Sequence, residues 1–466
     1  MPATRQALPS FATAMSDSRF AYSPSQFNEI TDAALVHARK HGASACEVDV
    51  SEGYGLSVTV RKGAVETIEH NRDKGLGVSV YIGERPHAKR GHASTSDFSR
   101  AALEQTVEAA LAIARHTAED GCAGPADPEL LARDVPDFDL FHPWALETEA
   151  AIEHARRCEA AAFSVSRKIR NSEGASLSTQ QTQFLMANSL GFRGGFPSTR
   201  HSLSCSVIAE YRGLMQRDDW YSSARVPEQV AEPAALGRYA GARAMARLGA
   251  RKIGTRQARV LYEAPVAGGL IGHLVSAVSG SSLYRKASFL VDSLGKQVLN
   301  PIVNIDELPH QPRAMGSTPF DDEGVATRDR SVVRNGVLQG YFLGSYSARK
   351  LGMRSTGNAG GAHNLEIRQR QPGTDLVGML RLMGSGLFVT ELLGQGLNLV
   401  TGDYSRGAAG YWVENGEIAY PVEEVTIAGN LRDIFQGIVA IGSDILVRGG
   451  RSTGSILVDN MTIAGH

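Results

Sequence analysis

Histidines and cysteines are the first residues to consider for chemistry, because a protein zinc site needs three or four His, Cys or carboxylate ligands that converge. The four cysteines all precede residue 206, and no two of them form a C-x-x-C pair. They are Cys46, Cys122, Cys158 and Cys205. After residue 250 only His273, His310, His363 and His466 remain, and no two of these have helical ligand spacing. His37 and His41 do have that spacing, but their polar helix face favours a chance pair, so we predict no metal site.

Two serine motifs are the next candidates. Residues 450–454 match the G-x-S-x-G pattern around Ser452, which in hydrolases lies between a strand and a helix. Here a short apolar run precedes the motif and another follows it, so a hairpin is the favoured interpretation. Ser347 and Lys350 match S-x-x-K, but the companion S-D-N and K-T-G motifs are missing. With no phosphate-binding loop either, the chain shows no complete catalytic set, and we assign no catalytic residue.

Five residues remain as weaker candidates for a peptide-binding groove. His273 lies in the apolar, glycine-rich segment 265–280, which we predict to be a helix packed on a sheet. Asp403, Tyr404, Ser405 and Arg406 form a polar run that interrupts an apolar, glycine-punctuated stretch. For the histidine a satisfied core or surface role is the commoner one, and for the polar run ordinary turn chemistry is favoured. We therefore keep the five as residues to test.

Composition excludes several functional classes. Of 466 residues, 42% are hydrophobic and 21% charged, and the mean hydropathy is −0.17, as in a folded globular chain. The net charge of −1 provides no field for nucleic acid or anionic lipid. Four cysteines are too few for a disulfide scaffold, and no apolar run approaches the ~18 residues of a membrane helix. We expect a cytoplasmic protein.

The elements that must position these residues change character along the chain. We predict a flexible tail over residues 1–22, an N-terminal α+β domain over 23–120, a central domain over 129–250 and a C-terminal β-rich domain over 255–466. Met15 is an alternative start within the tail. Of the 50 glycines, 32 follow residue 250, which indicates many tight turns there. Asn335-Gly336 and Asn415-Gly416, each between strand-like runs, predict antiparallel hairpins.

The fold class that follows is α+β. Its N-terminal regions are predicted to resemble α/β sandwiches, and they precede a large, Gly-rich, mainly antiparallel β domain. Ser23, Pro24 and Gln26 form a capping box at the start of the first predicted helix. Ser96-Asp97 is expected to open a second helix, and alternating apolar residues predict strands around 56–60 and 76–82.

An ordered set of motifs resembles the TldD/PmbA family over nearly the whole chain, from about residue 25. The set is Gly268–Leu290, Asp321–Gly324, Asn335–Tyr341, Ser355–Asn358, Thr401–Gly407, Val413–Ile418 and Val458–Gly465. Arg61–Gly63 and Asn188–Phe192 extend it into the first half. The resemblance implies a fold shared with metallopeptidases that act on extended or unfolded peptides.

Members of the TldD branch carry His-Glu-x-x-x-His on a helix and a downstream Cys that completes the zinc site. When Tyr284-Arg285-Lys286 is used as the anchor, the two ligand histidines fall on Gly272 and Ala277, and the glutamate falls on His273. The region of the ligand cysteine reads 447–451 here and contains no sulfur. The departure resembles the PmbA (TldE) branch.

That resemblance implies a chain without its own cofactor, which pairs as a heterodimer with a zinc-containing TldD-like subunit and completes a cavity for unfolded peptides. Two alternatives stay open: a stand-alone peptidase that uses His273 or Ser452, and a non-catalytic peptide-binding or regulatory homodimer. Family members are also described as modulators of DNA gyrase, but the near-zero net charge argues against direct contact with nucleic acid.

Overall fold

The computed structural model describes residues 19–465, and these residues form two compact units. The first contains the described residues up to Pro125 together with Asp137–Glu210 and Gln216–Met245. The second contains Ala126–Pro136, Tyr211–Met215 and the chain from Ala246 onward. Among the described residues, no helix is long and apolar enough to cross a membrane. The cytoplasmic location stays a prediction.

The first unit is built on one sheet with helices on it. Its helices are α1 (Pro24–Lys40), α2 (Arg100–His116), α3 (Thr148–Ser164) and α4 (Pro233–Ala246). Its strands are β1 (Ala45–Arg61), β2 (Ala64–Ile82), β3 (Lys89–Thr95), β4 (Ile169–Asn188), β5 (Arg193–Gly194), β6 (Pro197–Tyr211) and β7 (Leu214–Ala224). The strand order is β3-β2-β1-β4-β6-β7, with β5 beside β4. Antiparallel pairing of β1 with β4 joins strands from the predicted N-terminal and central regions into one sheet.

Local signals account for the two helices that cover the early strands. The capping box at α1 is present as predicted, with the Ser23 hydroxyl accepting from the Gln26 amide and the Gln26 side chain accepting from the Ser23 amide. The predicted opening of α2 at Ser96 is wrong by a few residues. The helix begins at Arg100 with Ser99 as its N-cap, because Asp97 accepts from the Ser99 amide in a turn before the helix.

The predicted flexible tail lies mostly outside the described residues. Its last residues, 19–22, are described and are hydrogen-bonded to the sheet. The amides of Ala21 and Tyr22 donate to the buried carboxylate of Glu52, each over 2.9 Å, and the Gln183 amide donates to the Tyr22 carbonyl. This stretch is therefore held in place by strands β1 and β4.

The second unit carries two further sheets. Its helices are α5 (Ala264–Ala277), α6 (Gly280–Tyr284), α7 (Ser345–Lys350), α8 (Leu376–Met383) and α9 (Leu431–Gln436). Its strands are β8 (Arg256–Tyr262), β9 (Val303–Glu307), β10 (Arg330–Arg334), β11 (Val337–Leu338), β12 (Leu365–Gln369), β13 (Gly386–Leu393), β14 (Asp403–Glu414), β15 (Glu417–Asn430), β16 (Ile438–Ile441), β17 (Leu446–Arg448), β18 (Arg451–Thr453) and β19 (Ile456–Ala464).

One of these sheets closes on itself. Its order is β15-β14-β13-β8-β19-β16, and an extra pairing of β15 with β19 joins five strands into a ring. The other sheet has the order β11-β10-β9-β12-β18-β17. Most pairs are antiparallel, the exceptions being β8 with β13 and β12 with β18. The predicted α+β class is confirmed.

The Asn-Gly hairpins are also where the sequence placed them. Asn335 and Gly336 both have positive φ, 50° and 75°, between β10 and β11. Asn415 and Gly416, at 53° and 79°, join β14 to β15. Two successive positive φ angles give the turn whose twist matches antiparallel strands, and Asn and Gly tolerate them best. Part of the glycine excess thus has a backbone cause.

Candidate functional site

Helix α5 is the element that positions the predicted His273. It follows β8 directly, and its apolar residues pack into the core of the second unit. Gly268 and Gly272, four residues apart, lie on one face of the helix, where the absence of side chains leaves a shallow groove. His273 follows this face and retains partial exposure.

Arg451 fills that groove. A Cβ atom on Gly272 would lie 3.1 Å from Arg451 Nη2 and 3.2 Å from Cζ, and one on Gly268 would lie 3.6 Å from Cδ. The arginine side chain from β18 therefore runs along the glycine face of α5 with its guanidinium beside Gly272. Strand β18 holds it there by pairing with β12 and β17.

Strand β14 brings two more side chains to His273. The Tyr404 ring meets the His273 ring edge to face, with centroids 5.6 Å apart. Arg406, two residues further along the strand, is close enough for its charge to act on the same ring. Tyr404 is 2% exposed, and its hydroxyl lies beside that of Tyr262, which donates to the Met461 sulfur over 3.3 Å.

Strand alternation separates the predicted polar run into two halves. Tyr404 and Arg406 face His273, whereas Asp403 and Ser405 are exposed. Asp403 accepts from the Thr401 hydroxyl and the Asn430 amide, which is the turn role favoured by its sequence context. The structure thus brings together His273, Tyr404 and Arg406 and leaves Asp403 and Ser405 outside the cluster.

The cluster is positively charged. Burial, followed by the charges of Arg406 and Arg451, lowers the pKa of His273 to about 4, so the imidazole is neutral at neutral pH. Burial also lowers the pKa of Arg451, which nevertheless stays protonated. His273 Nε2 and Arg406 Nε are buried and make no hydrogen bond within residues 19–465. Arg451 was missed as a site residue by sequence reasoning, although the glycine spacing of α5 is a signal for a close neighbour.

Arg330, another partly buried arginine of the same unit, has a different setting. Arg330 Nε donates to Glu307 over 2.7 Å, and its Nη atoms donate to the Tyr341 carbonyl and to Asn358. The other Glu307 oxygen accepts from Asn358 and from the His363 amide. Glu307 is 1% exposed, and both of its carboxylate oxygens accept hydrogen bonds. This network fixes the loop around Asn358. The family motif Ser355–Asn358 therefore has a structural role here.

The other candidate motifs are not assembled into sites of this kind. Ser452 lies in β18, after a hairpin that turns at Gly449-Gly450, and its side chain has no hydrogen bond within the described residues. Ser347 of α7 donates to the carbonyl of Gly344, the N-cap residue of that helix. His37 and His41 stack with ring centroids 4.0 Å apart, and Glu108 of α2 lies 3.3 Å from His37 Nε2. These last three could offer ligand atoms within 4.8 Å of one another, but two of the three side chains are exposed.

Comparison with known proteins explains the arrangement of motifs. Models of the PmbA/TldA metallopeptidase domain 1, central domain and C-terminal domain match residues 46–114, 141–248 and 255–465. The chain is 49% identical to the Escherichia coli O157:H7 protein named metalloprotease PmbA, over 93% of this chain and 94% of that one. The chain belongs to the TldD/PmbA family, in its PmbA branch.

Two solved structures have the same fold as this chain. A Bacteroides thetaiotaomicron protein, 26% identical, superposes with a TM-score of 0.88 over 94% of this chain and 99% of that one. TldE from Thermococcus kodakarensis has a TM-score of 0.81, covers 94% and 100% of the two chains and is 17% identical. At that identity the second likeness concerns the fold alone.

Proposed function

We propose that this chain is the TldE-like, metal-free subunit of a TldD–TldE-type peptidase that acts on unfolded or extended peptides. The family membership, the PmbA relatives named as metalloproteases and the likeness to a TldE fold support this. In this proposal a TldD-like partner supplies zinc and the hydrolytic step. This chain supplies part of the cavity that admits the peptide.

One observation carries the proposal: a guanidinium packs against the position at which the resemblance to the TldD branch implies a zinc ligand. The motif alignment puts one ligand histidine at Gly272, and Arg451 packs against that glycine. The glutamate position is His273, whose ring is acted on by two arginine charges. A divalent cation needs lone pairs and carries positive charge, so fixed guanidinium groups oppose it. The residues present therefore do not fit zinc, and no step of the reaction is assigned to a metal in this chain.

The packing of Arg451 against Gly272 explains why these two residues occur together. A histidine at position 272 and Arg451 compete for one volume, because even a Cβ there lies within 3.2 Å of the guanidinium carbon. Glycine at 272 and arginine at 451 therefore belong together.

The test compares cleavage of an unfolded, fluorescently labelled polypeptide by three samples: this chain alone, a TldD-like subunit alone, and their mixture. We expect cleavage by the mixture only, with co-elution of the two chains in size-exclusion chromatography. Cleavage by this chain alone, at a rate unchanged when the partner is added, would contradict the proposal.

A stand-alone peptidase is the second candidate, with His273 or Ser452 as the catalytic residue. The neutral His273 ring is the observation in its favour, since a base must be unprotonated. Against it, no described histidine or carboxylate is hydrogen-bonded to Ser452. Variants His273→Gln and Ser452→Ala decide between the two. Under our proposal Ser452→Ala leaves cleavage by the mixture unchanged, and His273→Gln does not abolish it.

A further inference from the structure

The two arginines beside His273 have no counter-charge. Within residues 19–465, no carboxylate lies within ion-pair distance of Arg406 or Arg451, and neither side chain donates a hydrogen bond. Two other arginines of the unit, Arg247 and Arg330, form ion pairs with Glu391 and Glu307. Two guanidinium groups close to one neutral imidazole thus form a local excess of two positive charges.

Unsatisfied donors add to this. Both His273 Nε2 and Arg406 Nε are buried without a partner, a state that costs free energy unless a ligand or water fills it. The three side chains keep partial exposure, so the cluster is open to a small group from outside. The Tyr404 ring forms an apolar wall beside the His273 ring.

A guanidinium presents paired N–H donors that match the two oxygens of a carboxylate or the oxygens of a phosphate. The location of Arg451 near the edge of a sheet favours a peptide as the source of that anion. Strand β17 is the edge of its sheet, pairs only with β18 among the described strands, and exposes Val447 at 61%. An extended peptide that adds to this edge pairs with β17, and that one strand separates it from β18, which carries Arg451.

We infer that Arg406 and Arg451, together with the Nε2 atom of His273, form a binding site for the carboxylate of a peptide. The inference rests on the proposed function, because it names the part of the substrate that this chain recognises. The C-terminal carboxylate and an Asp or Glu side chain share this chemistry. The C-terminal carboxylate is present in every peptide. A subunit that binds peptides independently of their sequence can therefore recognise this group in all of them.

The experiment measures binding of short peptides to this chain alone by calorimetry. The probes are an N-acetylated, unstructured hexapeptide with a free C-terminus, the same peptide amidated, the amidated peptide with an internal Glu, and inorganic phosphate. We expect the free acid to bind and the amide to bind at least about 10-fold more weakly. Recovery of binding by the internal Glu identifies a side-chain carboxylate as sufficient, which also supports the site.

Variants locate the site. Arg406→Gln and Arg451→Gln should each weaken the free acid by about 10-fold or more, and Arg→Lys at either position should weaken it less, because the charge stays while the paired donors are lost. Arg334→Gln, at an exposed arginine of the same unit, is the matched control and should bind normally. Thermal melting of each variant shows whether it is folded.

Three results overturn the inference: equal binding of acid and amide, undiminished binding by both folded Gln variants, or binding of phosphate but of no peptide. The assay uses no partner and no cleavage. Its failure is therefore separate from failure of the proposed function, which is read from zinc-dependent cleavage by the mixture.

Discussion

Two arginine clusters in the same unit show how burial can serve structure or binding. Arg330 donates hydrogen bonds to the Glu307 carboxylate, the Asn358 side-chain oxygen and the Tyr341 carbonyl, and this cluster fixes a loop. Among the described residues, no carboxylate lies within ion-pair distance of Arg451 or Arg406, and two buried nitrogens, His273 Nε2 and Arg406 Nε, have no partner. The hydrogen-bonded cluster stabilises the fold, whereas the cluster with unpaired donors is the one we propose to bind a peptide carboxylate.

The largest expected effect comes from breaking the satisfied cluster. Arg330→Met removes the partner of Glu307, which is 1% exposed, and leaves a buried carboxylate without its ion pair. We expect the free energy of unfolding to fall by about 3–5 kcal/mol, measured by urea denaturation. Arg334→Met, on the exposed end of the same strand, is the control and should change it by less than about 0.5 kcal/mol. A small loss at Arg330 would remove the contrast between the clusters.

The next effect tests the packing of Arg451 on α5. Gly272→His places an imidazole in the volume of the guanidinium, and we expect a loss of about 1–3 kcal/mol in the free energy of unfolding. Adding Arg451→Ala should recover a good part of that loss, because the clash partner is gone. A double-mutant cycle measures the coupling. Strictly additive effects mean that the two positions do not compete for one volume.

The pH dependence of His273 tests the charges of the cluster. Its folded pKa, about 4, lies below the ordinary value of 6.5, so protonation favours the unfolded chain. Its contribution to stability is present above pH 6.5 and is lost as the pH falls from there towards 4. In an NMR titration, Arg406→Gln and Arg451→Gln should each raise the pKa of His273, while Arg334→Gln should leave it unchanged. An unmoved pKa in both variants would place burial alone as its cause.

The smallest effect is expected from Arg451→Met. This side chain has no ion pair to lose, so its removal should change the free energy of unfolding by less than about 1 kcal/mol in either direction. The same Arg→Met exchange at position 330 serves as the comparison. Equal losses at the two positions would show that Arg451 has a structural partner that fixes the fold.

Sequence reasoning reached what local patterns determine. The cap of α1, the Asn-Gly hairpins and the alternating strands all depend on residues a few positions apart, and they are present. The joining of β1 to β4 depends on pairing across more than a hundred residues, which local patterns do not specify. The domain bounds predicted from composition stay a prediction.

The candidate site was predictable in part. Period-two alternation along 403–406 already separates Tyr404 and Arg406 from Asp403 and Ser405, and a strand reading of that run would have found the split. Arg451 is different, because its approach to Gly272 joins segments far apart in the chain. The resemblance to the TldD branch implied that a ligand cysteine is missing near that position, and only the structure shows that a guanidinium fills the groove.

Whether this chain is the metal-free subunit is tested most directly by counting zinc per chain after expression in zinc-rich medium and gel filtration, with a TldD-like subunit treated in parallel. We expect stoichiometric zinc in the TldD-like subunit and none in this chain, with both chains folded by thermal melting. One zinc per chain here, lost in a folded His273→Gln variant, would show a metal site beside the two arginine charges and would contradict the proposed function.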